Sequence, residues 1–310
     1  MTDADLRILQ LRLKLDDGEP IDERDLLIGD DVFGDDPSRV DPSGAAHDAP
    51  MLLEDAEVLA PPRHAPFLIG SVLALALAEY LVAFVAPGWG LAIHAALMLA
   101  FMARSVFSGG HAHDLYLALS VLPLIRILAI AMPFWLTDQS MHFALVNLPL
   151  IVATIIAARY LSYGRRELGL RLGFVPWQLA IIATGPLIGY VERLIIQPPA
   201  LAADLSLQAV WWPALSLMLF TGLSEELLFR GVLQTAAVRA LGARWGIVTV
   251  ALVFGVLHIG WQSALDVAFV TLVGLFFGWA VYRTRSLLGV TLAHGLANIF
   301  LFIVLPNLGS

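Results

Sequence analysis

The sequence has no cysteine and little charge: of 310 residues, 14% are Asp, Glu, Lys or Arg. Without thiols there are no disulfides and no cysteine nucleophile, and any metal has to be held by histidine or carboxylate. A soluble chain carries about 25% charged residues. Here 59% of residues are hydrophobic and the mean hydropathy is +0.80, so most of the chain belongs in a lipid bilayer.

The scarce charge is unevenly placed. Met1 to Pro66 carries 17 acidic and 6 basic residues, and the remainder 9 acidic and 12 basic. The head lacks a bilayer-spanning run, and no basic start is followed by an apolar stretch, so no signal peptide is expected. Turn-forming clusters from Asp16 to Pro62 (DDGEP, GDDPS, DPSG) predict a largely disordered, acidic, soluble region over 1–66, a solvated linker rather than a functional element. Leu9 to Leu15 alternates apolar and polar residues as a short strand does, and Asp5 to Leu15 also suits a helix. The acidic head argues against nucleic acid as a partner and against docking on anionic lipid.

From Phe67 onward nine hydrophobic segments follow: 67–86, 91–107, 115–136, 143–161, 179–196, 209–234, 247–260, 267–282 and 287–305. Most reach the ~17 to 25 residues of a spanning helix. The predicted fold is all-α, a polytopic transmembrane helix bundle of about seven to nine spans. Residues 67–161 supply the N-terminal helices and 162–310 a second set. With nine spans, Arg63, Arg104, the group Arg159 to Arg171, the pair Arg239 and Arg244, and the pair Arg283 and Arg285 fall at alternate connections. Positive residues mark the cytoplasmic side, which predicts an integral, multi-pass protein with its N-terminus in the cytoplasm and its C-terminus outside.

Against this background, charge inside an apolar run demands a partner or a purpose. Each such group costs about 2.5 to 3.5 kcal/mol at the bilayer centre on insertion scales. Thr221 to Gln234 (TGLSEELLFRGVLQ) holds three. Glu226 and Arg230, at i and i+4, share a helix face and are expected to form a supporting ion pair, while Glu225 points about 140° away from Arg230. His258 ends FGVLH, and His294 and Asn298 stand one turn apart in HGLAN. A lone histidine in such a segment is ordinarily a hydrogen-bonded packing residue; the combination is the stronger signal. At ~1.5 Å per residue, Glu225, His258 and His294 lie roughly 13, 16 and 12 Å from the cytoplasmic ends of their helices, at one level. They are expected to line a water-accessible cavity.

EExxxR (Glu225, Glu226, Arg230), FxxxH (Phe254, His258) and HxxxN (His294, Asn298), in this order on successive apolar segments, resemble the CPBP intramembrane protease family, which includes the CAAX-processing Rce1 type. The resemblance runs from about Leu168 to Pro306 and includes ELGLR (Glu167 to Arg171), similar to the segment that often precedes the family's core. It implies an intramembrane endopeptidase acting on membrane-associated peptides or proteins.

Peptide hydrolysis needs an activated water, a proton acceptor and donors for the oxyanion. Glu225 is the candidate base and His258 the group that holds the same water. His294 and Asn298 are candidate oxyanion donors. The same residues admit a metalloprotease version, with Glu225, His258 and His294 as ligands to a divalent ion, zinc in the first instance. No HExxH motif is present. Two other classes compete: a non-catalytic membrane immunity or scaffold protein, and an ion-coupled transporter, for which no inverted repeat is found. Glu79 and Arg126 are expected to be structural partners. Glu192 and Arg193 join no set, and His94, His111, His113 and His142 fall near segment ends or loops. The glycines of the later segments read as ordinary helix packing.

Overall fold

The computed structural model describes residues 65–132 and 138–308. The acidic head up to residue 64, with the strand or helix expected around Leu9 to Leu15, lies outside the described residues. All regular structure among the described residues is helical. Eight helical stretches are long and apolar enough to cross a membrane: α1 Pro66–Phe84, α2 Pro87–Val106, α3 Gly110–Ala131, α4 Gln139–Tyr160, α5 Val175–Ile196, α6 Leu207–Trp261, α7 Ala264–Thr284 and α8 Leu288–Leu308. Their outward faces carry large apolar side chains such as Leu73, Ile156, Leu187 and Leu272, each more than 60% exposed. Only lipid solvates such a surface, and the chain is an integral, multi-pass membrane protein.

Eight stretches and nine segments describe the same bundle. At ~1.5 Å per residue a straight α6 would run about 80 Å, far beyond a ~30 Å hydrocarbon core. It is not straight. Gly242 leaves helical geometry at φ 77° and ψ 164°, a conformation that glycine adopts at little cost. Beyond it, Gly246 packs so closely on the preceding limb that a Cβ there would stand 2.8 Å from the Ala237 carbonyl carbon. Residues nine apart in a straight helix are ~13 Å apart, so α6 is a helical hairpin whose limbs are two of the nine segments.

Contacts at the helix ends agree with alternate crossing. On one side the Tyr163 hydroxyl donates to Asp114 (3.3 Å), and the Arg239 guanidinium lies 4.7 Å from the Tyr163 ring centre. This joins the start of α3, the chain after α4 and the α6 turn. Burial, with the Asp114 charge, pushes the Tyr163 phenol above its ordinary range. On the other side Gln262 Nε2 donates to the Ala83 carbonyl (3.0 Å), and Leu201 N–H donates to the Phe302 carbonyl (2.8 Å).

One buried apolar cluster joins the two halves of the bundle: Leu115, Tyr116 and Leu122 of α3 and Leu150 of α4 pack with Leu228, Phe229, Val232 and Leu233 of α6. The ELGLR segment is a docked turn. The Gly169 carbonyl accepts from Leu287 N–H (2.9 Å), that of Arg171 from Ser286 Oγ (2.6 Å) and that of Glu167 from Thr235 Oγ1 (3.0 Å). It thereby fixes the entry to α8 against the first limb of α6.

Candidate active site

Ser224, Glu225 and Glu226 form a short α-helical stretch between two π-helical ones, Leu217–Leu223 and Leu227–Leu233, and a third, Phe300–Val304, follows Asn298. Such wide turns re-aim side chains relative to a regular helix and recur at functional sites. The helices then meet at small residues. A Cβ on Gly222 of α6 would lie 3.0 Å from the Gly295 nitrogen of α8, so the backbones that carry the glutamates and His294 cross almost in contact. On the other face of α8, methyl groups at Gly185 or Gly189 of α5 would run into the carbonyls of Ala293 and Ala297.

The crossing brings His294 between the two glutamates. Its Nδ1 lies 2.8 Å from Glu226 Oε1, and its Nε2 lies 3.9 Å from Glu225 Oε2. Glu226 is fully buried, and the same Oε1 accepts from Arg230 Nη1 at 2.9 Å. The expected Glu226–Arg230 pair is therefore present, with His294 as a third member. A carboxylate paired with Arg230 accepts, so His294 Nδ1 carries the proton and Nε2 faces Glu225. Glu225 is the open member, its side chain 26% exposed.

His258 stands at a helix end. Its Nδ1 donates to the Phe254 carbonyl (2.9 Å), one of the last carbonyls of that limb of α6, which leaves Nε2 free. Asn298 Nδ2 donates to Thr221 Oγ1 (2.9 Å), and that hydroxyl in turn donates to the Leu217 carbonyl. This chain fixes the amide orientation and leaves Asn298 a second N–H. His258, His294 and Asn298 line one cavity of about 30 Å³ with Glu192, Phe254, Val270 and Phe277. That is room for one or two waters. Glu225 is not on its wall; it adjoins through His294.

Phe254 explains why the FxxxH motif begins with an aromatic ring. The ring lies 5.1 Å from His258 and, edge to face, 6.0 Å from His294 (ring centres), with the Arg230 guanidinium 4.3 Å from its centroid. Phe277 and Phe229 complete an aromatic surround at 5.6 and 5.9 Å. Arg230 makes one ion pair, and its remaining charge is met by ring faces instead of water.

Glu225, His258 and His294 are the expected zinc ligands. Among the described residues no three His, Asp or Glu side chains stand close enough to hold a metal ion. His294 donates Nδ1–H to Glu226 and His258 donates Nδ1–H to the Phe254 carbonyl, which leaves both Nε2 atoms available, while Glu225 adjoins the cavity without lining it.

Residues 207–300 match the family described as type II CAAX prenyl endopeptidase Rce1-like. Over these residues the chain is similar to Rce1-like proteins. The match lies within the stretch over which the motifs resemble CPBP proteases, and bears that resemblance out. No curated protein and no solved structure matches the chain.

The Rce1-like segment contains every residue of the three motifs, and residues outside it complete their surroundings. Glu192 on α5 lines the cavity, 8% exposed, although its position in the sequence joined it to no set. The signal available was its depth: it is a carboxylate several residues inside a span, opposite an apolar segment with its own polar residues. His94 is not near a loop in any functional sense; it is fully buried in α2, with Nε2 3.2 Å from Glu79 Oε1. Glu79 also receives Arg126, Nη2 to Oε2 at 2.6 Å, so the structural partnership expected of these two is present.

Proposed function

We propose that the chain is an intramembrane endopeptidase that cleaves membrane-associated peptides or proteins, in the manner of CAAX prenyl endopeptidases, with a water activated by Glu225 and His258. The observation that carries this reading is the meeting of four helices, α5 to α8, around a water-sized cavity, with an open carboxylate beside one of its imidazoles. The Rce1-like match of 207–300 supports the reaction class.

The chemistry follows from which atoms are free. His258 Nε2 accepts a hydrogen bond from the water and orients it, since Nδ1–H is held by the Phe254 carbonyl. Glu225 takes a proton as the water oxygen attacks the substrate carbonyl carbon. The second N–H of Asn298 donates to the oxygen that becomes negative; a carboxamide never ionises and suits that task. As the C–N bond breaks, the proton on Glu225 passes to the leaving nitrogen, which gives a carboxylic acid and an amine. His294 Nε2 stands 3.9 Å from Glu225, and its Nδ1 proton is already donated to Glu226, so oxyanion donation falls to Asn298. By the arginine pattern the N-terminus lies in the cytoplasm, the C-terminus lies outside, and substrate enters from the cytoplasmic side.

The test is cleavage of a lipid-anchored peptide by the full chain purified in nanodiscs, with and without exhaustive chelation. The reading predicts two fragments in both cases. Loss of cleavage on chelation, restored by zinc, would replace water activation by Glu225 and His258 with the zinc version.

A further inference from the structure

The second limb of α6 ends at Leu257, beside the cavity, and a helix end within a membrane bundle faces a difficulty that water would solve elsewhere. Its last carbonyls have no N–H of their own helix to accept from, and lipid offers none. The Phe254 carbonyl is met by the His258 ring and the Gly255 carbonyl by His258 N–H (2.9 Å). The carbonyl of Leu257, the residue before His258, is met from outside by Arg126 Nη2 of α3 at 3.1 Å.

Arg126 is itself held. Its Nε donates to Glu79 Oε1 at 3.0 Å, and Nη2 lies 2.6 Å from Glu79 Oε2. Glu79 and His94 beside it are both fully buried. One turn further along α1, the Ala83 carbonyl accepts from Gln262, just past the same helix end. Two ties thus fasten the break around His258 to α1 and α3. The cation also lies at the negative end of a helix dipole, where a positive charge is favourable. Gly260 lies against the same guanidinium, a Cβ there standing at ordinary contact distance, 3.5 Å, from Arg126 Nη2.

We propose that Arg126, with Glu79 and His94 behind it, is the positioning device for His258, so that helices α1 to α3, outside the Rce1-like segment, are part of the catalytic unit. The inference rests on the reading of His258 as the residue that holds the attacking water. Arg126 touches no reacting atom and acts through the Leu257 carbonyl: with the guanidinium in place the helix end is fixed and Nε2 faces the cavity, and without it the end frays or turns toward another donor.

The test uses the full chain in nanodiscs and the paired substitution Glu79→Gln with Arg126→Met, which removes both charges and leaves neither buried alone. Hydrogen exchange over residues 254–262 is measured beside cleavage per folded molecule. The expected result is faster exchange confined to that stretch, with a fall in kcat of about a hundredfold and KM little changed, as a misplaced group costs in rate. Exchange unchanged over 254–262 overturns the proposal, and so does unchanged kcat, because an ion pair of purely structural value would be dispensable once both charges are gone. A wild-type chain that cleaves nothing would refute the proposed function instead, and exchange would still decide whether Arg126 holds the helix end.

Discussion

Glu226 Oε1 accepts from both Arg230 Nη1 and His294 Nδ1, so one buried oxygen joins an ion pair to the site. The two jobs can be separated. Glu226→Gln leaves Arg230 without its ionic partner and is expected to lower stability by about 3 kcal/mol, the order for a broken buried pair. Adding Arg230→Met should restore much of that stability, and turnover per folded molecule should stay within about tenfold of wild type because a carboxamide oxygen still accepts from His294. Glu226→Leu with Arg230→Met should be as stable and yet lose about a hundredfold in turnover, since nothing then holds Nδ1. Thermal unfolding beside cleavage rates checks all three. Equal turnover in the two double variants would mean that Glu226 serves Arg230 alone.

The i, i+4 spacing of Glu226 and Arg230 was legible because it is local: a pair four apart meets on almost any helical turn. The arrival of His294 on the same carboxylate was not, because it depends on where α8 crosses α6. That crossing rests on Gly222 and Gly295, which read in the sequence as ordinary membrane packing. Glu192 escaped for the same reason, being brought to the cavity only by the contact of α5 with α8. The π-helical stretches around Ser224 to Glu226 leave no period that a 3.6-residue template detects, and the helix end at His258 falls inside an apolar run. Gly222→Val tests the crossing. Its side chain would have to displace the Gly295 backbone, at a cost of about 1 to 3 kcal/mol for overpacking, and should move His294 away from the glutamates with loss of cleavage. Gly70→Ala, on an exposed face with nothing within 4 Å, is the matched control and should change neither stability nor rate. Normal cleavage by folded Gly222→Val would show that the close crossing does not set the site.

Across the whole molecule, segment count, helical class and membrane character followed from composition and run length, quantities that average over many residues. The hairpin at Gly242 explains how nine runs give eight continuous stretches. The sidedness proposed here rests on the arginines, and the absence of cysteine makes it measurable. Single cysteines placed beside Arg165 and Arg244 should label from the cytoplasmic side only, and one beside Asp204 from the outer side only; external labelling at Arg165 or Arg244 would invert the topology. The claim on which everything else depends is that Glu225 takes a proton from water within this bundle. The direct measurement is the single-turnover rate of peptide-bond cleavage in a membrane-anchored substrate by wild type and by Glu225→Gln, each in nanodiscs and normalised to folded protein. The account predicts a loss of at least ~10²-fold with thermal stability unchanged, because Glu225 makes no buried ion pair of its own. Wild-type turnover in folded Glu225→Gln would contradict it.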